Sequence, residues 1–289
     1  MRFLPADPRL YQIGALTLLL GYGALFLHFD ISVGQGVLTL AAALGTQAVC
    51  SRLFGLQRIE LRSALISGLS LCLLLRTNSS ALVVGTAALT ILSKFLLRWR
   101  GKHLFNPTNF GLVASLLLTG QIWVSPGQWG SAMFFGLLML CLGSCVVYRA
   151  ARMDVTFAFL AFHMTILFGR SWWLGEPMAI PWHRLQSGAL LLFAFFMISD
   201  PKTTPDSRAG RIAFALVVAL GASYVQFVLF RPNGLLWSLA ACALLVPLLD
   251  RWFPGIRRYS WDAPALAANA IHHAGRVSPN KPDYEPATL

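Results

Sequence analysis

Long apolar runs, separated by short polar segments, are the dominant pattern of this chain. Ten such runs lie at residues 11–29, 33–54, 63–75, 81–97, 106–118, 130–147, 156–172, 185–198, 212–230 and 235–253. An apolar helix needs about 20 residues to cross the hydrocarbon core of a bilayer, and about 17 at the short end. Most of the runs reach that length. The pattern therefore predicts an all-α polytopic membrane protein with about ten transmembrane helices.

Three runs are too short for an ordinary crossing, namely those at 63–75, 106–118 and 185–198. We expect short, broken or partly re-entrant helices at these places. Irregular backbone at membrane depth is tolerated only where protein or a polar cavity covers it. The short runs therefore indicate the region of a binding site.

A pair of small residues occurs in two of the short runs. Ser67-Gly68 in the third run resembles Ser187-Gly188 in the eighth. Small residues allow a second helix or a flat ligand to approach the backbone closely. We interpret the two pairs as close-approach surfaces of one site.

An asparagine near the start of a run also recurs, as Asn106 before the fifth run and Asn233 before the tenth. A repeat of five spans is odd in number, so its second copy is inverted in the membrane, and inverted repeats place their site near the midplane. Chance similarity between leucine-rich helices is the alternative interpretation. The predicted division is a cytoplasmic tail, two inverted five-helix repeats and a second cytoplasmic tail, at 1–10, 11–127, 128–254 and 255–289.

Composition and charge agree with a bilayer as the surroundings. The chain is 56% hydrophobic and 12% charged, with a mean hydropathy of +0.64, whereas a soluble domain is about a quarter charged. The net charge of +12 comes from basic residues at the ends of apolar runs, not from a basic stripe with interleaved aromatics, so nucleic acid is not an expected partner.

The basic residues also predict an orientation. With the N-terminus inside, 19 of the 23 Lys and Arg residues lie on the inner side, as the positive-inside rule requires. We therefore expect a multi-pass protein of the bacterial inner (cytoplasmic) membrane with both termini cytoplasmic. The first run is interpreted as a retained helix because no short apolar core with a small-residue cleavage site follows the N-terminus.

Several kinds of chemistry lack support in the sequence. No carboxylate lies at mid-membrane, which weakens a proton-relay mechanism carried by this chain alone. No nucleotide-binding loop or zinc motif occurs. His163 is near the centre of its run without a second histidine at its depth, so we interpret it as an interior histidine and not as a haem ligand. Cys141 and Cys145 are interpreted as packing residues, and no metal site or catalytic residue is predicted.

A charged corner, residues 187–211, ends the eighth run. Asp200 is predicted to begin a new turn as an N-cap, with Pro201 in the first helical position. Asp206 and Ser207 can cap the next helix in the same way. A well-capped cytoplasmic loop is the alternative to a functional corner.

The segment GKHLFNPTNFG contains the second concentration of polar residues. Lys102 lies at its inner edge, and the pair Asn106-Pro107 can begin a helix whose first N–H groups point into the protein. Such a start attracts anions such as a phosphate or the electron-rich edge of a flavin. Asn109 and Gly111 add a hydrogen-bond donor and room for close approach. An ordinary capped helix is the alternative.

These motifs together resemble the RnfD/NqrB family, the flavin-carrying membrane subunits of the Rnf and sodium-translocating NADH:quinone oxidoreductase complexes. The resemblance covers most of the membrane part and implies ten spans in an inverted repeat. The residues that carry it are Phe105-Asn106-Pro107, Asp200-Pro201 with Gly210-Arg211, Pro232 with Gly234, and Pro247-Leu248 with Asp250.

One motif of the family is missing. Members with covalent flavin attach FMN to the threonine of an SGAT-type motif between the fifth and sixth spans. The corresponding segment at 119–129 reads TGQIWVSPGQW, and Thr119 is its only threonine. Covalent FMN is therefore not expected, and the resemblance implies a flavin (FMN or riboflavin) that is held noncovalently.

The resemblance implies an electron-transport subunit of the membrane with redox or membrane partner proteins, possible coupling to ion movement, and a flavin site. Lys202, Arg208 and Arg211 are expected to receive a partner or an anionic group. The alternative is a non-redox transporter or accessory scaffold that kept the fold and lost the cofactor. The predicted cofactor-binding residues are Ser67, Gly68, Lys102, Asn106, Pro107, Asn109, Gly111, Ser187, Gly188, Asp200 and Asn233.

Overall fold

A computed structural model describes residues 7–26, 32–125, 133–255 and 259 of the protein. The structure is mostly helical, at 74% helix. The greater part of both predicted tails, and the boundary between the two predicted repeats, lie outside the described residues.

Helices follow one another along the described chain, with a π-helical turn, Phe193–Met197, directly after α9. Two short antiparallel strand pairs join β1 to β4 and β2 to β3. The helices are α1 (Pro8–Phe26), α2 (Val33–Leu53), α3 (Leu61–Leu74), α4 (Ser80–Leu96), α5 (Pro107–Thr119), α6 (Met133–Arg149), α7 (Met153–Leu174), α8 (Ala179–Leu185), α9 (Gly188–Leu192), α10 (Arg208–Phe227), α11 (Gly234–Ala243) and α12 (Val246–Trp252). The strands are β1 (Leu75–Arg76), β2 (Arg98–Trp99), β3 (Lys102–His103) and β4 (Trp123–Val124).

Length and composition make the chain a multi-pass membrane protein. Three of the described helices, α2, α7 and α10, are long and apolar enough to cross a membrane, and α11 with α12 can make a fourth crossing if the bent pair is one span. Shorter apolar helices of 10–17 residues occur between them along the described chain. The multi-pass character is thereby confirmed, whereas ten crossings in an inverted repeat stay a prediction.

The short runs form short or interrupted helices, as expected. Helix α3 has 14 residues and α5 has 13. The eighth run is divided into the end of α8, the five-residue α9 and the π-helical turn. A further break, which was not predicted, lies in the tenth run, where α11 and α12 meet at 56°. Pro247 in the first turn of α12 was the available signal, since proline cannot continue a helix from the preceding turn.

Polar caps begin the helices that frame the interior. Ser79 Oγ accepts from Leu82 N at the start of α4, and Ser207 Oγ accepts from Gly210 N at the start of α10. Asn106 caps α5 through its side chain, with Pro107 in the first turn. Asn233 precedes α11 in the left-handed conformation and makes no side-chain cap.

The predicted caps of the charged corner need correction. Asp200 accepts from Lys202 N at 2.9 Å, so it does begin a turn, but no helix starts at Pro201. Ser207 caps α10 as predicted, whereas Asp206 does not, because its carboxylate is bound by a lysine from another part of the chain.

Two further interpretations change as well. Cys141 and Cys145 are both exposed on α6 and do not pack in the interior. His163 is buried and stacks on the ring of Phe159 at 5.5 Å. Its Nδ1 has no hydrogen-bond partner among the described residues, so the interior position is confirmed but the ring is not fully satisfied.

The helices pack in two similar groups. Helix α4 lies against α2 and α5, and α10 lies against α7 and α11. Helix α1 contacts α3 and α6, and α6 contacts α9 and the π-helical turn. Buried phenylalanines, among them Phe159, Phe193 and Phe195, fill the space around that turn.

The approach of α5 to α4 depends on Gly111. A Cβ placed there would overlap Thr90 Oγ1 and lie 3.1 Å from Thr90 Cα. Rotation of the hydroxyl cannot relieve the contact with the backbone. The small residue that was predicted to admit a ligand therefore admits a neighbouring helix.

We expect Gly111→Ala to lower the free energy of unfolding by about 1–3 kcal/mol through this overlap. Gly85→Ala on α4 is the matched control, because no atom lies within 4 Å of a Cβ at Gly85. It should be neutral or slightly stabilising, since Ala has the better helix propensity. Unfolding of the two variants in detergent, followed by circular dichroism, checks this. Equal midpoints for both would contradict close packing at Gly111.

Candidate functional site

Asn106 joins the start of α5 to the charged corner. Its Oδ1 accepts from Asn109 N at 3.0 Å, which caps the helix. Its Nδ2 donates to Met197 O and to Asp200 Oδ2, each at 3.3 Å. Asn106 is buried, so this one amide satisfies backbone groups that water cannot reach.

A second side chain satisfies the π-helical turn. Thr156 Oγ1 on α7 donates to Ala194 O at 2.9 Å. A π-helical turn shifts the register of backbone hydrogen bonds and leaves carbonyl groups that need other donors. Thr156 and Asn106 supply such donors from two different helices, and they hold the turn between α5 and α7.

Lys102 is part of an ion cluster at one end of the molecule. Its Nζ lies 3.1 Å from Asp206 Oδ1 and 2.9 Å from Asp250 Oδ2. Asp206 N also donates to Asp250 Oδ1 at 2.8 Å. Beside them, Arg211 Nε lies 2.9 Å from Asp154 Oδ2. Each of these side chains takes part in an ion pair, so the cluster joins the corner to α7 and α12.

A cavity of about 330 Å³ with charged side chains in its wall opens beside Asn106, and we call it the Lys94 cavity. Helices α2, α3 and α4, the start of α5, and the corner contribute to its walls. The lining side chains that carry charge are Arg9, Glu60, Lys94, Arg98, Asp200 and Lys202.

Two lining polar atoms of the Lys94 cavity have no hydrogen-bond partner among the described residues. They are Gln47 Oε1, on a side chain that is 3% exposed, and His103 Nδ1. Burial, together with the nearby cations of Arg98 and Lys94, lowers the pKa of His103 to about 4. The imidazole is therefore neutral at physiological pH and has one donor and one acceptor nitrogen. Burial raises the pKa of Asp200, and the hydrogen bond from Lys202 N opposes this rise.

A larger cavity of about 710 Å³ lies on the other side of the π-helical turn, and we call it the Asn233 cavity. Its walls are mainly apolar, with Phe193, Phe227 and Phe230, and its charged side chains are arginines. Arg184 lies over the ring of Phe227 at 5.1 Å. Met197 contributes to the walls of both cavities, so the turn is the partition between them.

The structure divides the predicted site residues into three groups. Ser67, Asn106, Pro107 and Asp200 line the Lys94 cavity, together with Lys202. Ser187 and Asn233 line the Asn233 cavity. The members that line neither of these two cavities are Gly68, Lys102, Asn109, Gly111 and Gly188.

Some of these residues contact other helices. Asn109 Nδ2 donates to Leu236 O at 3.2 Å and so joins α5 to α11. A Cβ at Gly68 would lie 2.9 Å from Leu40 Cδ2, which shows that α2 covers this glycine. Arg211 is bound by Asp154, whereas Arg208 is exposed.

Lys94 and Gln47 are lining residues that the sequence reasoning did not select. The signal for Lys94 was available, since the residue lies inside a predicted membrane run, where an ionisable side chain is by default a functional hypothesis. Gln47 had a weaker signal, as one amide within the apolar second run. Which side of its helix faces a cavity cannot be inferred from a run that is apolar all round.

Comparison with known proteins supports a relationship to one family. The sequence profile of the NQR2, RnfD, RnfE family matches residues 117–256. The RnfD protein of the ion-translocating oxidoreductase complex of Erwinia tasmaniensis is 29% identical over 174 residues, which are 57% of this chain and 45% of that protein. The protein of the same name from Tolumonas auensis is 36% identical over 74 residues, 26% of this chain and 21% of that protein.

A third relative, the same protein from Escherichia coli O1:K1, is 31% identical over 104 residues, or 35% of this chain and 29% of that protein. In these three comparisons the match spans less than half the length of the curated relative. The resemblance to the RnfD/NqrB family is nevertheless confirmed by the profile and the relatives together.

We expect Lys102→Gln to destabilise the protein by about 2–3 kcal/mol, because it leaves two largely buried carboxylates without their cation. Arg208→Gln, at the exposed start of α10, should change the stability by less than about 0.5 kcal/mol. Midpoints of thermal unfolding of the two variants measure the difference. Adding Asp250→Asn to Lys102→Gln should restore part of the loss, and a full additive loss would contradict the ion cluster.

Proposed function

We propose that this chain, a relative of the RnfD/NqrB family, is an integral membrane subunit of an electron-transport complex of the bacterial inner membrane, and that it holds a flavin noncovalently. The relatives are named as subunits of an ion-translocating oxidoreductase complex. Membrane protein partners and coupling to ion movement follow from that assembly as parts of the proposal.

The observation that carries the proposal is the Lys94 cavity. It brings together four of the residues selected from the sequence and two polar atoms to which the described part of the chain offers no hydrogen-bond partner. Ligand sites in proteins are clefts of about 300–1,000 Å³ with a few convergent polar groups, and this cavity of about 330 Å³ lies at the lower end of that range.

The lining residues fit a flavin. Phe95 and Phe196 offer apolar surface for the ring system. Gln47 Oε1 can accept from a ring N–H or from a ribityl hydroxyl, and Ser67 and Ser70 can pair with further hydroxyls. The cations of the wall favour electron-rich or anionic groups. A bound flavin would supply the one- and two-electron chemistry, which no side chain of this site can supply.

The chain itself would bind and orient that group. Asn106 and Pro107 keep the start of α5 at the cavity wall, where the positive end of the helix dipole favours negative charge. The π-helical turn, through Phe196 and Met197, closes the far side of the cavity and separates it from the Asn233 cavity. Water is thereby excluded from one face of the site.

We further propose that the two groups of helices are inverted repeats. Helix α4 starts after Ser79 and α10 after Ser207, while α5 starts after Asn106 and α11 after Asn233. In each group the first of these helices packs against the second. The start of α5 lies at one cavity and the start of α11 at the other, which supports opposite orientations of the two halves.

The pair of cavities also supports the second candidate function, a transporter or scaffold without cofactor. Met197 is the only residue found in the described walls of both, so a thin partition separates two openings. Movement of this partition would connect them for a small solute. The presence or absence of flavin distinguishes this function from the first.

We expect the purified protein to show a flavin absorption spectrum. After acid precipitation the colour should be in the supernatant, because the SGAT motif for covalent attachment is missing. A yellow pellet would mean covalent flavin and would overturn the noncovalent proposal. Colourless protein, also after incubation with FMN and riboflavin, would support the transporter or scaffold.

A matched pair of variants locates the flavin. Gln47→Leu removes the unpartnered acceptor of the Lys94 cavity, and we expect the flavin content per protein to fall about tenfold, as for the loss of a hydrogen bond in a buried site. Gln186→Leu makes the same chemical change at a residue that lines neither cavity and should leave the flavin content unchanged. An equal content in both variants would exclude the Lys94 cavity as the flavin site.

The inverted arrangement predicts the sides of two loops. Helix α7 has 22 residues, so Glu176 beyond its end is about 33 Å from the Asp154 end, at 1.5 Å per residue. The corner that contains Lys202 is tied to the Asp154 end, because Arg152 Nε donates to Thr204 Oγ1 and Arg211 Nε donates to Asp154. Reporters fused after Lys202 and after Glu176 should therefore report opposite sides of the bilayer, with a fusion after Arg208 as the control for the Lys202 side. The same side for Lys202 and Glu176 would contradict the arrangement.

A further inference from the structure

Lys94 is a buried cation with little to neutralise it. The side chain belongs to a residue that is 4% exposed, and its Nζ donates to Ser63 Oγ at 3.1 Å. Within the described part of the chain, no carboxylate oxygen lies within 4.0 Å of this Nζ. An ammonium group has three donors, and burying a charge without a partner is costly.

Among the described residues, the rest of the cavity wall supplies no direct ion pair to Lys94, and the carboxylates of Asp200 and Glu60 attract it only from beyond 4.0 Å. Arg9 is bound to Asp7 and Glu60. Arg98 donates to the backbone carbonyl of Lys94, and neither Arg98 nor Lys202 forms an ion pair with a described residue.

Asp200 is the remaining carboxylate of the wall. Its two oxygens accept from Lys202 N and Asn106 Nδ2, so its nearest donors are neutral amides. Four cations against two carboxylates line this cavity, and the excess is positive.

Neutral groups of the wall match an anion that also carries hydroxyls. Gln47 Oε1 is an acceptor that no described residue donates to, and it is buried at the same cavity as Lys94. Helix α5, with 13 residues, begins there, and Pro107 and Thr108 line the wall. Pro107 has no N–H and Asn109 N is already bound by Asn106 Oδ1, so α5 contributes mainly the positive end of its dipole. A buried ammonium and serine hydroxyls are groups that donate hydrogen bonds to phosphate in proteins. An apolar or cationic ligand would leave Lys94 uncompensated.

We propose that the Lys94 cavity binds a phosphate monoester, with Lys94 as the counter-ion of the phosphate and Gln47 as acceptor for a hydroxyl of the same molecule. This inference rests on the proposed function and sharpens it, since it selects FMN over riboflavin as the flavin of this chain. The phosphate is held by ion pairing and not by an ester bond to the protein.

The test is a titration of the purified, delipidated protein in a neutral detergent with FMN, riboflavin and inorganic phosphate, each by calorimetry and by the shift of the unfolding temperature. We expect FMN to bind about tenfold or more tightly than riboflavin, as for one charge-assisted hydrogen bond in a buried site. Inorganic phosphate should raise the unfolding temperature and compete with FMN.

Variants of Lys94 separate binding from folding. Lys94→Met removes the uncompensated charge, so the ligand-free variant should unfold at the same or a higher temperature than the wild type. It should lose the preference for FMN over riboflavin and the response to phosphate. Lys94→Arg should keep part of both. Arg52→Met, which removes an exposed cation of α2, is the matched control and should behave as the wild type.

The outcomes distinguish the two proposals. Phosphate binding that depends on Lys94, without binding of either flavin, supports the oxyanion site and overturns the flavin function. Equal affinity for FMN and riboflavin, unchanged in Lys94→Met, overturns the oxyanion site and leaves the flavin function standing. A lower unfolding temperature of Lys94→Met together with no response to phosphate assigns Lys94 a structural role and overturns the inference. Stabilisation by added anionic phospholipid, but by neither phosphate nor FMN, also overturns it.

Discussion

The hydrogen bonds of the Asn106 amide are the constraint on which the interior of this protein depends. Its oxygen caps α5, and its nitrogen donates to the carbonyl of Met197 and to the carboxylate of Asp200. Backbone groups in the interior of a protein must find hydrogen-bond partners there. The start of α5 and the end of the π-helical turn each leave backbone groups without a hydrogen-bond partner in their own helix. The buried amide of Asn106 hydrogen-bonds to both, and it can do so only if the start of α5 lies against the end of the turn.

The same constraint explains why cavities lie beside these ends. Helices that stop inside a protein cannot fill the volume that a continuous helix would fill, and the π-helical turn occupies only part of it. Thr156 holds this turn through the carbonyl of Ala194, so the turn is fixed from α7 as well. Met197 consequently lies between the Lys94 cavity and the Asn233 cavity. The interrupted helices thus account both for the side chains that hydrogen-bond to the backbone and for the position of the cavities.

Local patterns in the sequence predicted the parts of this arrangement that depend on neighbouring residues. Asn106-Pro107 begins α5 and Ser207 begins α10, because capping needs only the next three positions. The fate of Asp206 could not be predicted in this way. Its capping geometry was available locally, but Lys102, which is 104 positions away, takes its carboxylate. The pairing of Lys102 with Asp250 spans 148 positions, and no periodicity of the chain encodes it. The requirement for glycine at position 111 likewise comes from its contact with Thr90 on another helix.

Lys94 and Lys102 show how structure separates two roles that composition cannot separate. Both are lysines near the same end of the molecule, and both side chains are largely removed from solvent. Lys102 finds two carboxylates, so its charge is neutralised inside the protein and stabilises the contact of the corner with α12. Lys94 Nζ donates to the hydroxyl of Ser63, and its side chain lines a cavity. Because a buried charge costs free energy unless something compensates it, a fold that keeps Lys94 in this position has a physical reason to admit an anion beside it. The balance of buried charge, and not the presence of a basic residue, is what points to the binding site.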